Sequence, residues 1–293
     1  MAKRKKQEKV PGTVAREGTF TKALEAWPGF VLSDRDPRST PGYHGDKDTG
    51  AELMAATAPE LADLQEQLYA ESKAGGKAAV LLVVQGMDTS GKGGIMRHVV
   101  GSMDPQGVHY TAFKAPTKEE QAHPFLWRIR NALPQPGELG VFDRSHYEDV
   151  LIARVHNLVP PATWGRRYGQ INAFERSVTT AGTTIVKVML HISSEEQKAR
   201  LTARLDRPHK HWKYKPSDVD ERESWPAYQR AYQSAVEKCS TGAAPWFVIP
   251  ADRKWYARLA VQPLMVEHLR KMSLGWPTAT FDVETEKARL AAT

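Results

Sequence analysis

A glycine-rich segment at residues 86–94 limits what this chain can fold into more than any other feature. The segment reads Gly-Met-Asp-Thr-Ser-Gly-Lys-Gly-Gly and lies between the apolar run 80–84 and the amphipathic stretch 95–100. The run predicts a buried strand and the stretch predicts a helix. A strand, a turn with the spacing Gly-x-x-x-x-Gly-Lys and a helix together direct backbone N–H groups and a helix N-terminus at one point. The sequence therefore predicts a phosphate-binding loop, and the alternative is a glycine turn that binds nothing.

One position in this loop departs from the usual pattern. Gly93 follows Lys92, whereas a Ser or Thr whose hydroxyl binds Mg²⁺ normally stands there. We expect Asp88 to replace that hydroxyl, because a carboxylate beside phosphates is repelled unless a cation lies between them. Lys92 adds a positive charge for the same phosphates. The other predicted phosphate ligands of the loop are Gly86, Met87, Thr89, Ser90, Gly91, Gly93 and Gly94.

Composition narrows the class of protein further. The chain has 293 residues, of which 41% are hydrophobic, a net charge of +7 and a single cysteine, Cys239. The length supports one globular body, and the charge favours a polyanion, whether nucleic acid, an acidic membrane surface or a phosphate-rich substrate. One cysteine excludes an internal disulfide and a cysteine-based metal cage. Because no apolar run reaches about 18 residues and no hydrophobic signal segment begins the chain, we expect a cytoplasmic protein without a membrane partner.

Apolar runs alternate with stretches of helical periodicity along most of the chain. Such alternation predicts an α/β fold, with a mostly parallel sheet sandwiched by helices and a ligand crevice at the carboxyl ends of the strands. The predicted strands are 80–84, 108–113, 139–142, 183–192 and 245–249. The predicted helices are 51–73 with a break at Pro59, 119–131, 147–156, 164–180, 194–205 and 218–238.

The ends of the chain differ from this pattern. Residues 1–50 begin with a basic tail and continue as a stretch rich in Pro, Gly, Asp and Thr, which we interpret as an extended strap around the core. Residues 51–275 form the predicted phosphate-loop domain, and residues 276–293 form a C-terminal tail.

A cluster of positive charge predicts a helical basic lid at about residues 198–238. Residues 198–215 contain seven Lys or Arg and a single acid. A basic flap over a phosphoryl-transfer site supplies arginines to the transferring group and keeps water out. The alternative is a solvated basic face. The candidate lid residues are Arg200, Arg204, Arg207, Lys210 and Lys213.

The end of the third predicted strand supplies a second acidic residue. Asp143 and Arg144 follow that strand directly, so they lie at the same edge of the sheet as the glycine-rich loop. An aspartate at a strand end holds Mg²⁺ in many phosphate-loop enzymes, and an arginine fork suits phosphate oxygens. The alternative is that Asp143 or Ser145 caps a helix. Asp88 and Asp143 are thus the candidate metal ligands, for Mg²⁺ or alternatively Mn²⁺.

The end of the second predicted strand is a candidate site for an acceptor. Lys114, Pro116 and Thr117 end that strand, and Arg128 lies on the next predicted helix. The neighbouring aromatic side chains, Phe125 and Trp127, fit the protein core better than a binding site. The histidines show no spacing typical of a metal site.

The blocks 86–94, 113–117, 142–151 and 212–213 resemble, in order and spacing, the polyphosphate kinase 2 family, from about residue 50 to residue 275. The resemblance implies a P-loop kinase fold similar to thymidylate kinase, a homo-oligomer (dimer or tetramer) and dependence on Mg²⁺. It also implies a transfer site made of Asp88, Lys92, Asp143 and Arg144, with Arg204 on the polyphosphate path. The stretch 146–149, which contains Glu148, resembles the subgroup that accepts both nucleoside mono- and diphosphates. Asp143 stands where that subgroup often has Asn.

These observations lead to one preferred hypothesis and two rivals. The preferred hypothesis is in-line transfer of the terminal phosphoryl group of inorganic polyphosphate to AMP or ADP, with no specific nucleic-acid partner. The first rival keeps the fold but uses ATP as the donor, as an ordinary nucleoside monophosphate kinase does. The second is a nucleic-acid-binding protein that grips backbone phosphates with its basic residues.

Overall fold

A computed structural model describes residues 18–293 of the chain. The predicted basic tail at the start of the chain lies outside these residues. The strands are β1 (Ala79–Gly86), β2 (Val108–Ala112), β3 (Leu139–Asp143), β4 (Thr183–His191) and β5 (Trp246–Pro250). The helices are α1 (Thr19–Leu24), α2 (Lys47–Lys73), α3 (Lys92–His98), α4 (Lys118–Gln121), α5 (Trp127–Asn131), α6 (Ile152–Val155), α7 (Pro161–Thr180), α8 (Ser194–Leu205), α9 (Ser217–Glu223), α10 (Trp225–Cys239), α11 (Lys254–Arg270) and α12 (Val283–Ala291).

The five strands form one sheet in the order β2-β3-β1-β4-β5, and every neighbouring pair is parallel. All eight residues of β1 are buried. A central parallel strand is covered on both faces, which is why β1 is a continuous apolar run without alternation. In the register of the sheet, Val84 of β1 lies opposite Asp143, and Gly86 lies opposite Leu190 of β4. The sheet therefore brings the end of β3 beside the glycine-rich loop, and the predicted parallel α/β fold is confirmed.

The predicted break of the second helix at Pro59 is wrong. α2 continues through Pro59 to Lys73 and begins earlier than predicted, where the side chains of Asp46 and Thr49 form a reciprocal capping box. Proline removes one backbone N–H and crowds the preceding turn. Packing against α11 offsets that cost, because the Gln262 amide donates to the Met54 carbonyl and to the Thr57 hydroxyl, each at 2.7 Å.

Three other predicted helices are divided in the structure. Residues 119–131 form α4 and α5 with Pro124 between them, and the residue before a proline disfavours the helical conformation. Residues 147–156 form a 3₁₀ turn, His146–Asp149, followed by α6. Residues 218–238 form α9 and α10, with Pro226 in the first turn of α10, a position that proline favours. By contrast, α8 has the predicted bounds.

The two end regions contain more helix than predicted. Residues 18–50 do run against the core, with Phe20, Leu24 and Leu32 buried, but α1 and a 3₁₀ turn interrupt the extended strap. The C-terminal tail includes α12, which has no buried residue. Within residues 18–293, none of the helices is both long enough and apolar enough to cross a membrane.

Candidate active site

The glycine-rich loop connects β1 to α3 in a conformation that requires glycine. Gly86 and Gly91 have positive φ angles of 153° and 116°. A β-carbon on Gly86 would lie 2.6 Å from the Ser90 hydroxyl and 2.8 Å from the Leu190 carbonyl oxygen. Thr89 also has a positive φ, 61°, which is unusual for a residue with a side chain. The loop is therefore a tightly folded turn that leads into the N-terminus of α3.

Lys92 is the first residue of α3, and its side chain reaches back across the loop. Its Nζ atom donates to the carbonyl oxygens of Gly86 at 2.8 Å and Met87 at 3.3 Å. Burial lowers the pKa of Lys92, and the nearby Arg144 lowers it further, whereas Asp143 and Asp88 raise it. Bound phosphate would favour the charged ammonium. Lys92 is thus placed to hold phosphates where the two carboxylates also converge.

Arg200 holds the backbone of the glycine-rich loop. Its predicted place in a movable lid is therefore wrong. Its side chain is buried, and it donates to the carbonyl oxygens of Thr89 and Ser90, both at 2.8 Å. It also donates to the carbonyls of Ala251 and Asp252 and pairs with Glu196 at 2.7 Å. The protein itself thus occupies the whole guanidinium. Arg200 fixes the backbone of the phosphate loop rather than closing over it.

Asp143 and Arg144 lie beside the loop, as predicted from the strand order. The Tyr110 hydroxyl lies 3.3 Å from the Asp143 carboxylate. Arg144 has a left-handed backbone, with φ 64°, and its N–H donates to the Val84 carbonyl at 3.0 Å. Its guanidinium pairs with Glu148 at 3.2 Å, and this carboxylate raises the pKa of Arg144. The unusual backbone turns the chain sharply just after Asp143, and Arg144 keeps its charge in the site.

A buried charged cluster anchors the segment that follows Arg144. Lys187 of β4 donates to Glu175 at 2.6 Å, to the Tyr147 hydroxyl at 2.8 Å and to the Cys239 carbonyl at 2.7 Å. The Tyr147 hydroxyl donates to Glu175 at 2.8 Å, and His146 lies 3.2 Å from the same oxygen. Sequence reasoning missed Lys187 and Glu175, although a lysine inside the apolar run 183–192 was a usable signal. The cluster ties residues 145–149 to the sheet and to α7.

One cavity of about 690 Å³ joins these groups. Its lining contains eleven Lys or Arg and two acids, which are Asp88 and Asp143. Most of the predicted residues line it: Asp88, Thr89, Ser90, Gly91, Lys92, Gly93, Gly94, Lys114, Asp143, Arg144, Arg200, Arg204, Arg207, Lys210 and Lys213. Such an excess of positive charge suits a ligand that carries several phosphates.

The remaining predicted residues do not line the cavity. Gly86 and Met87 contribute only the carbonyl oxygens that hold Lys92. The Thr117 side chain caps α4, and Pro116 is exposed. Arg128 donates to the Lys114 carbonyl at 2.9 Å, so it positions a lining residue from outside. Glu148 acts similarly through Arg144.

The aromatic residues near the candidate acceptor site divide between core and surface. Phe125 packs against the core, as expected. Trp127 is half-buried and stacks on His123, with 4.1 Å between the ring centres. Neither residue lines the cavity.

Arg204 connects the basic lid segment to the phosphate loop. It donates to Asp88 at 3.0 Å, to the Lys213 carbonyl at 3.1 Å and to Asp218 at 3.4 Å. The predicted lid does not fit α10, because this helix is anchored in the core through its buried residues Ala231, Tyr232, Ala235 and Val236. Within residues 198–238, the 3₁₀ helix Pro208–Lys213 and α9 are the helical segments without buried residues. We therefore restrict the predicted lid to about residues 207–223.

The two carboxylates fit a magnesium ion better than a metal held by protein alone. Asp88 and Asp143 line the same cavity. No group of three or more His, Cys, Asp or Glu side chains suited to a metal occurs among residues 18–293. Mg²⁺ usually binds one or two carboxylates and completes its shell with water and substrate phosphates. Two carboxylates in a phosphate-binding cavity match that preference.

Three basic residues of the cavity were missed by sequence reasoning. Arg97 lies on α3, and Lys254 and Arg258 lie on α11. Arg97 was accessible in principle, since it lies on the helix that the phosphate loop opens. Nothing local marked Lys254 and Arg258, because the fold alone brings α11 to this edge of the sheet.

The fold and this cavity define a P-loop α/β protein with a site for several phosphates. Comparison with known proteins agrees, since a family model described as polyphosphate kinase 2 matches residues 44–275. The AMP/ADP-polyphosphate phosphotransferase of Meiothermus ruber is 44% identical over 85% of this chain and 91% of the relative. The ADP-polyphosphate phosphotransferase of Rhodopseudomonas palustris is 38% identical over 88% of this chain and 89% of the relative.

A solved structure gives the same result. The crystal structure of polyphosphate kinase 2 from Arthrobacter aurescens TC1 is similar with a TM-score of 0.94 and 54% sequence identity. The similarity covers 96% of this chain and 100% of that chain. The chain belongs to the polyphosphate kinase 2 family, which confirms the resemblance carried by its motifs.

Proposed function

We propose that this protein transfers the terminal phosphoryl group of inorganic polyphosphate to a nucleoside mono- or diphosphate, converting AMP to ADP and ADP to ATP. The observation that carries the proposal is the single cavity in which the phosphate loop, two aspartates and eleven basic residues meet. Membership of the polyphosphate kinase 2 family supports it. The Meiothermus ruber relative, named for both AMP and ADP, supports the choice of acceptors.

The reaction exchanges one phosphoanhydride bond for another. An oxygen of the acceptor's terminal phosphate forms a bond to the end phosphorus of the donor, and the bridging P–O bond of the donor breaks. The shortened polyphosphate leaves as an anion, so the step is reversible in principle. The attacking oxygen is already ionised near neutral pH, so the site needs no strong general base. Positioning and charge compensation therefore supply the catalysis.

The groups nearest the glycine-rich loop have separate roles in that transfer. Lys92 and the loop amides hold the phosphates at the junction between donor and acceptor. Arg144, Arg204 and Arg207 compensate the charge that spreads over the transferring group. Asp88 and Asp143 would hold Mg²⁺, or alternatively Mn²⁺, which supplies charge neutralisation between the phosphates.

The acceptor side of the site is proposed from position. Lys114 lines the cavity near Asp143 and Arg144, at the ends of β2 and β3. A nucleotide bound there would place its terminal phosphate against the glycine-rich loop. Cytoplasmic location and homo-oligomeric assembly remain predictions.

A donor exchange tests the proposal. Purified protein is incubated with Mg²⁺ and AMP or ADP, together with either polyphosphate or ATP, and the products are followed by phosphorus NMR. We expect phosphorylation of both acceptors from polyphosphate. Phosphorylation of AMP from ATP alone would instead identify a nucleoside monophosphate kinase. Salt-sensitive binding of DNA or RNA with no turnover of any nucleotide would favour a nucleic-acid-binding protein.

A further inference from the structure

We infer that Arg97, Lys254 and Arg258 form a distal binding site for the donor chain and set the preference of the enzyme for long over short polyphosphate. We call these three residues the distal cation row. The inference rests on the proposed function and concerns the part of the cavity between α3 and α11.

The distal cation row lies on one side of the phosphate loop, away from Asp143. β3, which carries Asp143, is the neighbour of β1 on one side, whereas β4 and β5 continue the sheet on the other. α11 packs against β4, β5 and α3. Lys254 and Arg258 of α11 therefore meet Arg97 of α3 on the β4 side of the loop. An acceptor near Asp143 and a donor chain along this row would approach the loop from opposite sides.

Arg258 reaches the backbone of the phosphate-binding helix itself. A β-carbon added to Gly94 would lie 3.3 Å from its Nε atom and 3.5 Å from a terminal nitrogen. Gly94 is in the first turn of α3, directly after Lys92 and Gly93. The row thus begins within one helical turn of the phosphate loop. A chain of phosphates leaving the loop would meet Arg258 first.

The side chains of the distal cation row are not tied to other side chains. Arg97, Lys254 and Arg258 form no ion pair or side-chain hydrogen bond with any residue in the described part of the chain. By contrast, the arginines nearer the reacting phosphates are paired: Arg144 with Glu148, Arg200 with Glu196 and Arg204 with Asp88. Clustered like charges repel one another. The energetic cost of that repulsion is relieved when a polyanion binds.

The electrostatics of the row agree with the geometry. Burial lowers the pKa of Arg258, and Arg97 and Arg200 lower it further. Burial also lowers the pKa of Lys254, with contributions from Arg200, Lys210 and Arg258, while Glu196 acts in the opposite direction. Lys210 belongs to the lid. The positive charge therefore continues from α3 across α11 to the lid, as an extended chain of phosphates requires.

Chain-length selectivity provides the test. The measured quantity is kcat/KM for long-chain polyphosphate divided by kcat/KM for triphosphate, with ADP saturating. Triphosphate has few phosphates left to contact the row once its end lies in the loop. We expect Arg97→Ala and Arg258→Ala each to lower this ratio by about three- to fivefold, the effect of removing one partly exposed charge contact. Arg258→Lys, which keeps the charge, should restore most of the ratio.

A matched control removes the same charge from elsewhere. Arg176 is exposed on α7 and does not line the cavity. Arg176→Ala should leave the ratio unchanged. Circular dichroism and thermal unfolding of each variant report whether the fold is intact. If Arg258→Ala does not fold, Arg97→Ala and Arg258→Lys still test the row.

Several outcomes would overturn the inference. An unchanged ratio in folded Arg97→Ala and Arg258→Ala would mean that the row does not bind the donor. An equal loss of kcat/KM for long and short donors would mean that the row contacts the reacting phosphates instead. A raised KM for ADP, with unchanged KM for polyphosphate, would place the acceptor there instead.

A binding measurement separates this inference from the proposed function. Titration of the protein with long-chain polyphosphate, without nucleotide, reports the affinity of the row even if no transfer occurs. We expect weaker binding by Arg97→Ala and Arg258→Ala than by Arg176→Ala. Transfer failing in the unaltered protein would contradict the proposed function alone, whereas equal binding by all three variants would contradict the distal site alone.

Discussion

Removing the positive charge of Lys187 should lower the free energy of unfolding of this protein by a large fraction. Lys187 and Glu175 are 0% and 1% exposed and lie 2.6 Å apart. In Lys187→Met, the Glu175 carboxylate would stay buried with only the Tyr147 hydroxyl and His146 as neighbours. A buried charge that loses its partner destabilises the folded state strongly, because the desolvation cost remains when the attraction is gone.

The expected loss follows from that asymmetry. Breaking a buried pair by removing one partner costs about 3–5 kcal/mol, against a total stability of about 5–15 kcal/mol for a typical domain. At about 2 °C per kcal/mol for a chain of this size, the Tm should fall by about 6–10 °C. In the double variant Lys187→Met/Glu175→Gln no buried charge is left unpaired, so most of the loss should be recovered. Lys77→Met, at an exposed lysine, should change stability by less than about 0.5 kcal/mol.

The coupling energy between the two residues is measured by urea unfolding. The proteins compared are the wild type, Lys187→Met, Glu175→Gln and the double variant. We expect a favourable coupling of at least about 2 kcal/mol. If Lys187→Met and the double variant lose the same free energy of unfolding, the reasoning is refuted. In that case the loss comes from packing of the lysine stem and from the lost hydrogen bonds to Tyr147 and Cys239, not from an uncompensated carboxylate.

The pH dependence of stability provides a second test of the ion pair between Lys187 and Glu175. Burial by itself raises the pKa of Glu175, but Lys187 and His146 lower it, so that its pKa lies below the ordinary value. A carboxyl with a lowered folded pKa adds stability above its unfolded pKa, about 4.3, and loses it as pH falls through the folded value. Without Lys187, burial raises the pKa of Glu175, and protonation then relieves the buried charge. The difference in the free energy of unfolding between wild type and Lys187→Met should therefore become smaller as pH falls from 7 to 5.

Three further predictions concern the transfer site. Lys92→Ala should lower kcat by at least about a hundredfold with the fold retained, measured by phosphorus NMR and circular dichroism; a near-normal rate would remove Lys92 from the site. Asp143→Asn should raise the Mg²⁺ concentration needed for half-maximal rate, and an unchanged Mg²⁺ titration would contradict its role as a ligand. Gly86→Ala should lower both Tm and kcat, because its β-carbon meets the Ser90 hydroxyl and the Leu190 carbonyl; wild-type stability would show that the loop can relax.

Local sequence was enough for the centre of the site but not for its surroundings. Asp88 and Lys92 follow from one strand, one turn and one helix, all within a short segment. Asp143 follows from the rule that parallel strands end at a common edge, and the sheet register places it opposite Val84. Lys254 and Arg258 could not be found this way, since their position depends on how α11 packs across the sheet.

Arg200 shows where charge counting gave the wrong interpretation. It belongs to a basic segment, and the net charge of that segment predicted an exposed lid. In the structure, Gln197, Arg200 and Leu201 form the buried face of α8. Their spacing of three and four residues is the helical period that marks an inward face. The helical periodicity of α8 is therefore a better guide than its net charge, because it places Arg200 on the inward face of the helix.

Pro59 and Pro226 show a second limit of local rules. Both are prolines within predicted helices, yet α2 continues through Pro59 whereas Pro226 marks the start of a new helix, α10. In the interior of a helix either proline would remove a backbone hydrogen bond and crowd the preceding turn. The difference is tertiary, because Gln262 of α11 holds the turn of α2 before Pro59 in place. Such a contact between distant segments is not visible in a single sequence.

The basic residues of the cavity thus divide by what holds them. Arg144, Arg200 and Arg204 are each fixed by a carboxylate, and Arg200 also by backbone carbonyls. Fixed groups suit a step in which charge moves over short distances, because they need no rearrangement as it moves. The distal cation row has no such partners. Unpaired cations suit a task of a different kind, which is to hold a long flexible anion at many points while its end reacts. The paired arginines thus serve the transfer step, and the distal cation row serves the binding of the donor chain. These two tasks together account for the excess of positive charge in one cavity.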